Sequence, residues 1–222
     1  MRRVTSVVAT TIFLVVSSSG VAFAQGNAQP AGGAPAGQGA QGGQGAGGRG
    51  GGTPAAPFRL MSPAFADGAT LPAKYTCSAG QDAVSPPLRW MNAPNARAML
   101  TFALIVHDME PRPAKGIDDI LHWMVWNIPA VAAGFPEGVS PATSDLPDGS
   151  HQTNGNPGQG GITGYRPPCP PQNVALPHHY AFELFALDIR PDLPLTATRS
   201  DLLKAMDGHV VAHASIIAPF SR

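Results

Sequence analysis

From about residue 57 onward, short apolar runs alternate with clusters of Pro, Gly and Asp. Residues 99–108 (MLTFALIVHD), 121–128 (LHWMVWNI) and 179–188 (HYAFELFALD) are rich in β-branched, aromatic and aliphatic side chains. Each is shorter than a typical helix and is bounded by turn formers, so all three read as strands. Residues 210–217 (VVAHASII) and 58–62 (FRLMS) read the same way. Residues 86–90 (PPLRW) read as an edge strand, because proline cannot donate to a ladder. The clearest helix is 200–208 (SDLLKAMDG). Ser200 can cap its start, Leu202, Leu203 and Met206 make a short apolar stripe, and Gly208 suits the left-handed position after its end. This pattern predicts a mostly β domain, with antiparallel sheets and one or two short peripheral helices.

Upstream the pattern changes. Arg2 and Arg3 precede an apolar run over 7–16, and Ala22-Phe23-Ala24 has the small-x-small form of a cleavage point. Residues 1–24 therefore read as a secretory signal peptide cut after Ala24. The run is too short, and too interrupted by Ser and Thr, to favour a membrane span. Residues 25–56 are mostly Gly, Ala, Gln and Pro and hold half of the chain's 26 glycines. With almost no large apolar side chain, such a stretch cannot offset the entropy of ordering, and it reads as a disordered linker. Residues 57–222 are one domain's worth of chain, long enough to bury a core. The expected location is periplasmic or secreted, with no integral membrane segment after cleavage.

Composition narrows the function by exclusion. Without Arg2 and Arg3 the chain has 12 basic and 14 acidic residues. There is no basic stripe, so nucleic-acid binding gets no support. Cys77 and Cys169 are the two cysteines. Export permits a disulfide between them, although two buried free thiols fit the sequence equally well. The sequence lacks a G-x-S-x-G elbow and a phosphate-binding Gly-rich loop before a helix. Prolines on both sides of Cys169 argue against a thiol nucleophile there.

Side chains two apart on a strand share a face. That rule groups Phe102, Leu104, Val106 and Asp108; His122, Met124, Trp126 and Ile128; and His178, Tyr180, Phe182 and Leu184. Each row carries a polar group at one end. If the rows face one core, Asp108, His122, His178 and Tyr180 gather at its rim. Two imidazoles and a phenol can hydrogen-bond an anion's oxygens, and an Asp beside a His favours the cationic ring. The stiff stretch YRPPCPP, residues 165–171, can wall such a pocket at low entropic cost. Two histidines and a carboxylate also suit a metal, but H-x-x-x-H and H-x-H spacings are absent. His107, His151, His179, His209 and His213 read as structural.

Five blocks occur in order: SPPLRW (85–90), TFALIVHDMEP (101–111), LHWMVWNIP (121–129), GYRPPCPP (164–171) and HHYAFELFALD (178–188). Together they resemble the phosphatidylethanolamine-binding protein family in its bacterial Raf-kinase-inhibitor-like branch, from about Phe58 to Arg222. The resemblance implies a β-rich fold with a small pocket for phosphate-like groups, including phospholipid head groups. It assigns ligand binding to Asp108, His122, Cys169, Pro170, His178 and Tyr180, with no catalytic residue, metal or cofactor. It also implies an alternative role, a protein-interaction module that inhibits a protease or kinase. For that role the polar loop over 139–164 is the candidate surface. A metal-dependent hydrolase using Asp108, His122 and His178 ranks behind both. The sequence departs from the family pattern at Glu110, where an Asp is usual, at Pro167, where a Gly is usual, and at His179, where an Arg is usual. Pro167 removes an N–H donor and His179 offers less fixed charge, so both are expected to reshape anion binding.

Overall fold

A computed structural model of the chain describes residues 56–95, 97–110, 119–153, 163–172 and 176–222. The expected signal peptide and all but the last residue of the expected linker lie outside these residues. The strands are β1 (Arg59–Met61), β2 (Leu88–Met91), β3 (Thr101–Asp108), β4 (Ile120–Pro129), β5 (Gly134–Phe135), β6 (His151–Gln152) and β7 (His178–Leu187). Helix α1 (Arg199–Met206) and strand β8 (Val210–Phe220) follow, and two 3-10 segments occupy Ala73–Tyr75 and Cys77–Asp82. All pairings are antiparallel, in a three-stranded sheet β1-β2-β5 and a five-stranded sheet β6-β4-β3-β7-β8.

The two sheets share one core. Phe102, Leu104 and Val106 of β3 and Tyr180, Phe182 and Leu184 of β7 pack with Leu60, Leu88, Trp90 and Phe135 of the smaller sheet. The other face of the large sheet buries Ala103, Ile105, Met124 and Trp126 beneath Leu202 and Met206 of α1. Both faces are therefore apolar, which is why β3 is buried along its whole length.

Three expectations need correction. Residues 86–90 do not make an edge strand: β2 lies between β1 and β5, and both prolines precede its first residue, Leu88. Ser200 does not cap the helix. Thr198 does, accepting from Asp201 N–H while the Asp201 carboxylate accepts from Thr198 N–H, a reciprocal capping box. The expected Gly208 stop is present, with φ +77° just beyond the end.

The third correction concerns β4, which does not keep a strict two-residue period. One extra β4 residue is accommodated opposite Val106–His107 and another opposite Phe102–Leu104. The second lies at Asn127, whose φ of +57° is a left-handed conformation that Asn tolerates. As a result Trp123, Val125 and Ile128 face the inter-sheet core, and Met124 and Trp126 face α1. The first irregularity turns His122 toward the end of the core without exchanging the faces of β3 or β7.

Candidate functional site

The pocket lies at the Asp108 end of the large sheet. Cross-strand register places Asp108 opposite both Tyr180 of β7 and Ile120 of β4. His178, two residues before Tyr180, reaches back to Asp108, with Nδ1 2.8 Å from Oδ2. His122 meets the Tyr180 ring edge-on, with centroids 5.2 Å apart. Asp108, Ile120, His122, Arg166, Pro167, Cys169, Pro170, Pro171 and His178 enclose about 200 Å³. This is below the volume of a typical drug-sized site and suits a head group or a small anion.

Segment 165–171 forms one wall, and several ties fix it. Tyr165 is buried against Trp123, and its hydroxyl donates to the carbonyl of Tyr75 (2.8 Å). Arg166 N–H donates to the carbonyl of His122 (2.7 Å), and His122 Nδ1 donates to the carbonyl of Arg166 (2.8 Å). Cys77 N–H donates to the carbonyl of Pro168 (2.9 Å), and a Cys77–Cys169 disulfide closes the same contact. Gly164 must lie next to Gln152: it has φ +72°, and a Cβ there would meet Gln152 Oε1 at 2.7 Å. Of the two alternatives the sequence left open for the cysteines, the disulfide is the one present.

Hydrogen bonding sets the chemistry. His122 Nδ1 is committed to a carbonyl, so its neutral ring presents Nε2 as an acceptor. Burial holds this ring neutral, with its pKa lowered to about 4, and the nearby Arg166, His107 and His178 act in the same direction. The sequence argument expected a cationic ring beside Asp108. Asp108 pairs with His178, an Asp beside a His as expected, and His122 is the more deeply buried of the two. Tyr180 is fully buried, and its hydroxyl lacks a well-formed hydrogen bond. Burial, reinforced by the Asp108 charge and by a weak hydrogen bond to the Asp108 carboxylate, pushes its pKa far up, so it remains a donor.

The sequence argument brought together Asp108, His122, Cys169, Pro170, His178 and Tyr180, and the fold does place them at one site, with Tyr180 behind the lining. It missed Arg166, a cation on the wall whose charge acts on both His122 and Tyr180. The available signal was Arg166's place at the head of the stiff Pro-rich wall. His179, at the position where the family carries Arg, turns away to Glu110: the Glu110 carboxylate accepts from both His179 N–H (2.5 Å) and Nδ1 (2.6 Å). Burial opposes ionisation of Glu110, but these His179 hydrogen bonds outweigh it and hold the carboxyl below its usual range. Asp108, Glu110 and His178 present potential metal-ligand atoms within 4.8 Å of one another. Asp108 and His178 are hydrogen-bonded to each other, however, and both Glu110 oxygens already serve His179.

A sequence model of the phosphatidylethanolamine-binding protein family matches residues 61–221. The chain is 40% identical to a UPF0098 protein of Methanothermobacter thermautotrophicus, over 73% of this chain and 98% of that one. It is 33% identical to LppC, a candidate lipoprotein of Mycobacterium tuberculosis, over 75% of this chain and 73% of that one. Two crystal structures share the fold. One is a candidate phosphatidylethanolamine-binding protein homologue of Chlamydia trachomatis, with TM-score 0.60 and 31% identity over 75% of this chain and 98% of that one. The other is E. coli YbcL, with TM-score 0.63 and 25% identity over 75% and 99% of the two chains.

Proposed function

The chain belongs to the phosphatidylethanolamine-binding protein family, and on that premise we propose that it binds a small phosphate-like anion or a phospholipid head group without turning it over. The observation that carries this reading is a pocket of about 200 Å³ that gathers Arg166, His122 and His178 at the Asp108 end of the large sheet. His178 offers an anion's oxygens a hydrogen bond from the pocket lining. Arg166 supplies the charge. His122 contributes a hydrogen bond once it takes up a proton, which a bound anion favours.

The non-catalytic part of the reading is supported by Cys169. It is the one pocket-lining residue with a nucleophilic sulfur, and it is held in a disulfide. An exported location fits the N-terminal sequence and the relationship to LppC. Among the described residues no helix is long and apolar enough to cross a membrane.

Calorimetric titration of inorganic phosphate and of phosphoethanolamine into the wild type and His178→Ala tests the assignment. The expected result is saturable binding to the wild type at one site per chain, weakened at least about tenfold in the variant, the loss of one charge-assisted hydrogen bond. Equal binding by both proteins, or none by either, contradicts the assignment. Release of inorganic phosphate from phosphoethanolamine would contradict its non-catalytic part.

A further inference from the structure

The disulfide is part of the pocket. Cys169 lines the cavity from the middle of the Pro-rich wall and is exposed. Its bond to Cys77 joins that wall to the 3-10 segment Cys77–Asp82. The Arg222 guanidinium lies against both sulfurs, with one nitrogen 3.2 Å from Cys169 Sγ and 3.8 Å from Cys77 Sγ. Against an intact disulfide, which is neutral, this fixed charge gains little. Against a thiolate it gains a great deal, and it lowers the thiol pKa. A neighbour that stabilises only the reduced form raises the reduction potential and makes the bond easier to open.

We propose that Cys77–Cys169 is a redox latch on the pocket wall, opened by an exogenous dithiol, with Arg222 setting how readily it opens. Its effect on ligand binding rests on the anion-binding reading above; its thiol chemistry does not. A thiolate of the dithiol attacks Cys77 Sγ, the Cys77–Cys169 bond breaks, and Cys169 leaves as a thiolate beside Arg222. The second thiol of the reductant then attacks its own sulfur in the mixed disulfide and releases Cys77. Two electrons and two protons pass to the protein, and the dithiol becomes a disulfide. The reduced wall keeps its hydrogen bonds to His122 and Tyr75, so it loosens rather than unfolds. Arg166, which that wall carries over His122, then loses its fixed position, and anion affinity falls.

The experiment equilibrates the full chain and its Arg222→Gln variant with mixtures of oxidised and reduced dithiothreitol, and counts free thiols by mass after alkylation. The variant is expected to shift about tenfold toward the disulfide, equivalent to about 30 mV for a two-electron couple. No shift, or a shift toward the dithiol, overturns the role of Arg222. Hydrogen exchange at the Arg166 amide reads the wall without any ligand. It is expected to quicken at least about tenfold when the wild type is reduced, as local opening becomes easier, and an unchanged rate overturns the latch. Phosphate titration of oxidised and reduced wild type then reads the consequence. Weaker binding after reduction supports gating, and equal affinity refutes it. Absence of phosphate binding even to the oxidised protein sinks the anion reading, while the thiol equilibrium and the amide exchange still decide the latch.

Discussion

His107 and Asp108 are neighbours on β3 and point to opposite faces of the large sheet, and each anchors a cluster built from the same residue types. On the α1 face, His107 Nδ1 meets Asp119 (2.5 Å) and Nε2 meets Glu183 (3.0 Å). Arg199 pairs with the other Asp119 oxygen, and His213 Nε2 lies 3.3 Å from the other Glu183 oxygen. The hydrogen bond from His107 holds Glu183 below the usual carboxylate range, against the effect of burial. Both nitrogens of His107 and all four carboxylate oxygens have protein partners. On the pocket face the same residue types border a cavity. Tyr180 has a buried hydroxyl without a well-formed bond, and His122 presents one nitrogen to the cavity. Two clusters of His, acid and Arg thus differ in what they face: one is enclosed by protein partners, and the other lines a pocket. That access to a cavity, rather than residue type, separates a candidate ligand site from a structural network.

The largest effect that sharpens this contrast is on stability. His107→Ala takes one partner from each of the mostly buried Asp119 and Glu183, which keep Arg199 and His213, and is expected to cost about 2–4 kcal/mol, slightly below the range for fully buried pairs. In a domain of this size that lowers the melting temperature by roughly 5–15 °C. Phosphate affinity of the folded variant should be unchanged, and a large affinity loss would merge the two clusters into one.

A second effect is on pH dependence. The folded state keeps His122 neutral down to about pH 4, whereas the unfolded chain protonates it near pH 6.5. Unfolding therefore takes up a proton between those values. The contribution of His122 is fully present above about pH 6.5 and is lost as the pH falls toward 4, up to about 3 kcal/mol. Denaturant melts across that window should show a shallower loss in His122→Gln than in the wild type. Bound sulfate, which brings no proton of its own at these pH values, favours protonated His122, so its affinity should rise as the pH falls from 7 to 5.

Arg166→Gln is expected to weaken phosphate binding by about 1.5–3 kcal/mol, the range for a hydrogen bond to a charged group, with little change in melting temperature. The smallest stability effect belongs to Tyr180→Phe. Removing a buried hydroxyl that bonds Asp108 only weakly should shift stability by no more than about 1 kcal/mol, in either direction. Affinity should nevertheless fall about tenfold. A large destabilisation would mean that the hydroxyl is structurally satisfied, and the comparison would fail at its most specific point.

Much of the architecture was legible because β3 and β7 keep an unbroken two-residue period where they pair, and antiparallel pairing then carries Asp108, His178 and Tyr180 to one end. β4 was not legible. Where an extra residue is accommodated depends on the partner strand, and only Asn127 carried a local hint, its tolerance of positive φ. His122 reached the pocket, but by an irregularity rather than by the shared face first assigned to it. Arg166 was hidden, and the Cys77–Cys169 disulfide stayed one of two open alternatives, for a related reason: both depend on how a proline-stiffened segment folds back on distant residues, information absent from local pattern. The closed His107 network was equally hidden, although the structural reading of that histidine matches its geometry.

The most direct test follows the ring nitrogens of all seven histidines by long-range 1H–15N correlation during a phosphate titration at pH 6.5. The account predicts that His122 and His178 shift together, with one dissociation constant and with His122 moving toward the protonated form, while His107 and His213 stay fixed. Movement of His107 with the same constant, or silence at His122 and His178, would contradict it.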